Sequence, residues 1–144
     1  TLIRMIEYCL KLKIAVVDKD EKEAGLRKIL NFGHTYAHAL ETITKYNKFT
    51  HGEAVVYGMF FIIEWAYKNE YITYSYYRLS LELLEKYGFK RLKKQYEPKK
   101  LLEIMQKDKK VANGKITFIV PVEKKKVKEI KLTQQEVLNM FDCI

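Results

Sequence analysis

The chain of 144 residues has three histidines, and all of them fall between His34 and His51. Imidazole nitrogens are common ligands for divalent zinc. A catalytic zinc is usually held by three protein groups, with a further position open to water or substrate. His34 and His38 stand one helical turn apart, and His51 lies in the run Thr50-His51-Gly52-Glu53-Ala54. Spacing by itself offers all three histidines as ligands, with Glu41 or Glu53 as an extra ligand or as a group that orients one.

The histidines belong to a wider polar set. At about 100° per residue, Glu23, Arg27, Asn31, His34, His38 and Glu41 fall within a sector of roughly 80° on one helical wheel. Apolar residues such as Leu26, Leu30, Tyr36, Leu40 and Ile43 occupy the other faces. A solvent-facing stripe favours Lys and Glu, whereas this one combines acid, cation, amide and two imidazoles. A lone histidine is more often a satisfied core residue than a ligand; two at helical spacing weaken that reading.

These side chains need elements to hold them. Periodicity predicts helix over Leu2 to Val17, a charged link from Asp18 to Glu23, and a helix from Ala24 to Tyr46. Glu53 to Asn69 is apolar on nearly every face, as a buried helix is. Tyr74 to Tyr87 reads as an amphipathic helix stopped by Gly88, and Pro98 opens another that runs to about Lys109. Asn113-Gly114 marks a turn. Alternation in Ile116 to Val120 and in Val127 to Leu132 predicts a two-stranded hairpin, and Thr133 with Glu136 has capping-box spacing before a last short helix. The fold class expected is therefore mainly α, a helical bundle with a short β-hairpin near the C-terminus.

Composition fits one folded unit over residues 1–144, since 48% apolar residues suffice for a core. Cys9 and Cys143 show no CxxC spacing, which excludes a cysteine zinc site and suits a reducing, cytoplasmic setting. The apolar stretch Ala54 to Ile63 is about half of what a membrane span requires. Thr1 in place of methionine, followed by mixed apolar and charged residues, reads as the middle of a longer polypeptide. A formal charge of +9 suits an anionic partner, whether nucleic acid, membrane or small substrate. The basic runs Lys90 to Lys100 and Lys124 to Lys131 read as solvated surface, because no nucleic-acid module accompanies them.

Taken together, several motifs resemble the C-terminal half of 3-dehydroquinate synthases. They are Lys13-Ile-Ala-Val-Val, Asp20-Glu21, Glu23-Ala-Gly-Leu-Arg27, Leu30-Asn31-Phe-Gly-His34-Thr-Tyr-Ala-His38-Ala-Leu-Glu41, His51-Gly-Glu-Ala-Val55 with Gly58-Met59, and Asp108-Lys109-Lys110 with Gly114-Lys115. Their order from Lys13 to Val120 is more specific than any single motif. The resemblance implies the C-terminal domain of the dehydroquinate synthase-like fold, with His34 and His51 as metal ligands and His38 turned to the substrate. Lys13, Arg27, Asn31, His38 and Lys109 match substrate-binding positions. Among these Lys13 and His38, together with Glu23 in an orienting role, are the expected catalytic groups. Arg grips a carboxylate bidentately and Lys offers a compact charge, which suits an anionic sugar-acid phosphate. Ala37 stands where the family commonly has glycine.

The resemblance further implies conversion of 3-deoxy-D-arabino-heptulosonate 7-phosphate to 3-dehydroquinate and phosphate in the shikimate pathway, a carbon-oxygen lyase reaction. It uses zinc or cobalt, with transiently reduced NAD bound mainly by an N-terminal domain. That domain and the family's third, glutamate, metal ligand have no counterpart in these residues, so the piece alone is expected to be inactive. The full enzyme is expected to be a cytoplasmic homodimer that engages neither nucleic acid nor membrane. Alternatives are another sugar-phosphate cyclase, a metal-dependent polyol dehydrogenase, or a basic nucleic-acid-binding module.

Overall fold

A computed structural model describes residues 1–22, 25–93, 96–107, 111–112, 114–123 and 126–142. Its contacts fall into two units, residues 1–31 and residues 32–144.

In the first unit, α1 (Leu2–Lys19) is followed by a 3₁₀-helix, Leu26–Asn31. Asp20 joins them: its carboxylate accepts from the backbone N–H groups of Gly25, at 2.7 Å, and Arg27, at 2.9 Å. It thereby satisfies two donors at a helix start, as a capping side chain does. No residue of α1 is buried, and Ile3, Ile6 and Leu10 are each more than half exposed.

The second unit begins where the expected Ala24-to-Tyr46 helix breaks. Phe32 and Gly33 form a turn, and α2 runs only over His34–Ile43. Gly33 has φ +77°, a conformation that residues with a Cβ adopt at a cost, so the helix cannot continue through it. One helical wheel therefore cannot span Glu23 to Glu41.

α3 (His51–Lys68) is the buried helix that the sequence predicts, and it starts two residues earlier than expected. Thr50 and Glu53 close a capping box there, with the Thr50 hydroxyl accepting from Glu53 N–H and the Glu53 carboxylate accepting from Thr50 N–H. α2 and α3 meet backbone to backbone. A Cβ on Gly58 would lie 1.9 Å from the Gly33 carbonyl oxygen, so only glycine allows this approach. Beside that contact, fully buried Ala37 packs with Ala54 and Val55. Its methyl group is thus accommodated by small neighbours.

α4 (Tyr74–Lys86) ends before Gly88, as the sequence predicts. Between α3 and α4, buried Glu64 accepts from the Tyr77 hydroxyl at 2.9 Å and pairs with Arg91 at 2.6 Å. α5 (Pro98–Lys107) and α6 (Gln134–Asp142) pack around a three-stranded antiparallel sheet. The expected hairpin is present as β2 (Lys115–Glu123) and β3 (Lys126–Leu132), and the two-residue β1 (Val111–Ala112) extends it in the order β1-β2-β3. Ile116 pairs with Leu132 and Phe118 with Ile130, an in-register alternation that turns Ile116, Phe118 and Val120 inward. Leu40, Ile62, Leu101, Met105, Ile116 and Met140 are fully buried, so α2, α3, α5, β2 and α6 share one core. α6 opens on the expected Thr133–Glu136 capping box.

Candidate metal and substrate site

The site grows from the α2–α3 pair. His34, His38 and Glu41 follow one another at helical spacing on α2, and His51 is the first residue of α3. The glycine contact brings the two helix starts close enough for the imidazoles to converge. Ring centroids are 5.3 Å apart for His34 and His51, 5.7 Å for His34 and His38, and 6.1 Å for His38 and His51.

Hydrogen bonds fix which ring nitrogens carry lone pairs. His34 Nδ1 lies 3.0 Å from the Phe32 carbonyl oxygen, which can only accept. His51 Nδ1 lies 2.9 Å from a Glu41 carboxylate oxygen, which also accepts. Both Nδ1 atoms therefore donate, and the lone pair of each neutral ring sits on Nε2. This carbonyl or carboxylate support is the usual arrangement behind metal-binding histidines.

Two donor sets could take a divalent ion. Ligand atoms of His38, Glu41 and His51 lie within 4.8 Å of one another. The alternative pairs His34 with His51 and leaves Glu41 as the anchor of His51. Two imidazoles on one tetrahedral zinc have centroids about 5 Å apart, close to the His34–His51 separation. The 2.9 Å between Glu41 and His51 Nδ1 is a hydrogen-bond length, shorter than the roughly 3.3 Å between neighbouring ligands of a tetrahedral zinc. Geometry therefore favours Glu41 as an orienting group. Glu53 has neither of the roles that the sequence offered for it. Its carboxylate is engaged at the α3 cap, where the Thr50 backbone N–H and then the Thr50 hydroxyl hold it below the usual carboxylate range.

A cleft of about 570 Å³ opens beside these groups. His38, Glu41, Thr42, Tyr46, His51 and Lys107 contribute its polar lining, and Ile104 and Met105 of α5 its apolar side. Thr35 also lines it and donates through its hydroxyl to the Thr117 carbonyl at 2.9 Å, which ties α2 to β2. Sequence reasoning missed Thr42, Tyr46 and Lys107. Thr42 follows His38 by one helical turn and was legible from that spacing; Lys107 comes from a distant helix and gave no local signal.

The remaining predicted residues belong to the first unit or fall outside the described residues. Lys13 is exposed on α1 and Asn31 ends the 3₁₀-helix, both in the first unit. Arg27, in that same helix, donates from its guanidinium to the Glu21 carbonyl at 2.8 Å. Glu23 and Lys109 lie outside the described residues, as do Asp108 and Lys110 beside Lys109 and Asn113 of the predicted turn. Among the described residues no helix is long and apolar enough to cross a membrane.

The fold matches that of a solved synthase structure. A crystal structure of 2-deoxy-scyllo-inosose synthase, complexed with carbaglucose-6-phosphate, NAD+ and Co2+, aligns with 96% of this chain and 40% of its own, with a TM-score of 0.78 at 20% identity. At that identity the likeness establishes the fold. Sequence relatives are nearer: the 3-dehydroquinate synthase of Alkaliphilus metalliredigens is 44% identical over 138 residues, 96% of this chain and 39% of the relative. That of Dictyoglomus turgidum is 43% identical over 122 residues, 85% of this chain and 34% of the relative. Residues 1–111 match the profile of the 3-dehydroquinate synthase C-terminal family, and the chain belongs to that family. It spans well under half the length of these curated relatives.

Proposed function

We propose that this chain supplies the metal-binding and part of the substrate-binding machinery of a 3-dehydroquinate synthase. The reaction would convert 3-deoxy-D-arabino-heptulosonate 7-phosphate to 3-dehydroquinate and phosphate in aromatic amino-acid biosynthesis. The observation that carries the reading is the convergence of three imidazoles beside a cleft, with His51 oriented by buried Glu41, in a member of this family.

In this reading His34 and His51 hold zinc or cobalt through Nε2. The donor chemistry fits, since imidazole suits both ions. A divalent ion bound there supplies Lewis acidity, and NAD, bound mainly by the N-terminal domain, supplies a hydride acceptor. His38 lines the cleft, which supports a role for it in exchanging a proton with substrate. Lys13, Arg27, Asn31 and Lys109 bind the carboxylate, hydroxyl and phosphate groups of the substrate, and Glu23 orients its neighbours. The full-length enzyme acts as a cytoplasmic homodimer, independent of nucleic acid and membrane.

The test is phosphate release from 3-deoxy-D-arabino-heptulosonate 7-phosphate by the full-length polypeptide with NAD, before and after chelation, with His51→Ala in parallel. Release that stops on chelation, returns with zinc and is lost in the variant is the expected result. A folded, zinc-loaded protein that releases none would overturn the substrate assignment in favour of another cyclase or a dehydrogenase.

A further inference from the structure

Among the described residues three polar or charged side chains are buried, Thr35, Glu41 and Glu64, and two of them belong to α2. Glu41 anchors His51, and Glu64 holds Tyr77 and Arg91. Thr35 has a partner of another kind. A hydroxyl in a helix commonly bonds to the carbonyl one turn back, as Thr44 does to Leu40 at 2.7 Å and Ser80 to Tyr76 at 2.8 Å. The Thr35 hydroxyl instead crosses to the Thr117 carbonyl, 82 positions away in the chain.

The acceptor belongs to a fixed part of the fold: Thr117 pairs with Lys131 across the hairpin, and its neighbours Ile116 and Phe118 are buried in the core. The donor sits among the imidazoles. Thr35 follows His34 directly, and Thr35, His38 and Thr42 line the cleft at helical spacing. Elsewhere α2 packs through apolar groups, with Tyr36 stacked on Phe61, Ala37 beside Ala54, and Leu40 in the core. Such contacts hold a helix against its neighbours without choosing a direction, whereas a hydrogen bond demands a distance and an angle. Side chains reach about 5–6 Å from a helix axis, so a rotation of about 10° moves their tips by about 1 Å. A misplacement of about 1 Å can lower a rate by about a hundredfold.

We propose that Thr35 is a positioning residue, whose bond to the Thr117 carbonyl sets the rotation of α2 about its axis and with it the aim of His34 and His38. The inference rests on the proposed function for what those imidazoles do, metal binding by His34 and proton exchange by His38. Thr35 acts through them, because its hydroxyl proton is committed to Thr117.

The experiment compares Thr35→Val and Thr35→Ser with the wild type in the full-length polypeptide loaded with cobalt, whose visible absorption reports the geometry of its ligands. Valine keeps the branched shape and removes the donor; serine keeps the donor. Cobalt affinity, the visible spectrum, and kcat and KM for the sugar-acid phosphate are read well below each protein's Tm, the kinetics at equal metal content. Thr35→Val is expected to weaken cobalt binding about tenfold, to shift the absorption and to lower kcat at least about tenfold, with KM changed less than about threefold. Thr35→Ser should restore the spectrum and bring kcat within about threefold of the wild type. Should valine prevent folding, Thr35→Ala, which also lacks the donor and suits a helix, carries the same expectation. A donor-less variant with a lower Tm but the wild-type spectrum and kcat has lost only stability and overturns the inference. So does a serine variant as impaired as valine. A spectrum that follows the hydroxyl, in a polypeptide that releases no phosphate, supports the inference and removes the proposed substrate instead.

Discussion

Replacing Gly58 by alanine tests the contact on which the imidazole cluster depends. The added Cβ would meet the Gly33 carbonyl oxygen at 1.9 Å and its carbon at 2.8 Å, whereas ordinary van der Waals contact begins near 3.4 Å. Both obstacles are backbone atoms, so no rotamer change relieves them. The Gly33 carbonyl also accepts the Ala37 N–H at 3.2 Å in the first turn of α2. Separating the helices costs about 1–3 kcal/mol by analogy with overpacked cores, and the size of the clash favours the upper end. Alanine recovers about 1 kcal/mol of helix propensity over glycine. The net loss is about 2 kcal/mol, which corresponds to a fall in Tm of roughly 10 °C for a unit of this size. Gly52→Ala is the matched control, because a Cβ there meets nothing within 4 Å and its φ is not positive. It should raise Tm slightly or leave it unchanged. Thermal unfolding followed by circular dichroism at one protein concentration reads both variants. If Gly58→Ala melts with or above Gly52→Ala, the two backbones do not meet as described, and the account of how His34 and His51 are brought together fails.

Other expectations follow from the caps and buried polar groups. The Glu53 carboxyl has a depressed folded pKa, so its contribution is fully present above the unfolded-state value and is lost as pH falls through the folded one. Glu53→Gln should therefore flatten the acid side of a Tm-versus-pH curve, and equal acid slopes in the two proteins would contradict this. Tyr36 is pushed up from 10.0 to about 12, first by burial and then by Tyr96. The stability it contributes is complete below pH 10.0 and is lost as pH rises from there toward 12. Tyr36→Phe should remove that alkaline loss, and an ultraviolet phenolate titration that shows no late-ionising tyrosine would refute the assignment. Removing the Arg91 guanidinium leaves the buried Glu64 carboxylate with Tyr77 and a more distant Lys68 at 3.6 Å. Arg91→Ala should cost about 1–3 kcal/mol in denaturant unfolding, and an unchanged midpoint would show the pair to be dispensable.

Much of the architecture was legible because it follows from local chemistry. Continuous apolar composition identified α3, Gly88 identified the end of α4, and the Thr133–Glu136 spacing identified the start of α6. The same spacing at Thr50–Glu53 marks the start of α3, but the continuous apolar pattern that identifies this helix begins only after Glu53. The break at Gly33 was hidden by apolar periodicity, which a 3₁₀-helix followed by an α-helix preserves well enough to resemble one continuous helix. The histidine cluster was legible as a group. Which nitrogen each ring presents was not, since that depends on the Phe32 carbonyl and the Glu41 carboxylate in three dimensions. Lys107 joins the cleft only through the packing of α5 on α2, a relation between segments some sixty positions apart that no local pattern encodes.

The lysines of β3 have a consequence of a different kind. In the order β1-β2-β3 this strand forms an edge of the sheet among the described residues, and Lys126, Lys128 and Lys131 stand exposed along it. A sheet edge offers unpaired main-chain groups to any extended segment, and charged side chains discourage a second strand from docking there. Part of the basic excess thus acts as a guard against edge-to-edge self-association, which gives the Lys124 to Lys131 run a purpose that requires no nucleic acid. Valines in place of these three lysines would leave the hairpin's β propensity intact or improve it, and would turn a protected edge into a template for aggregation.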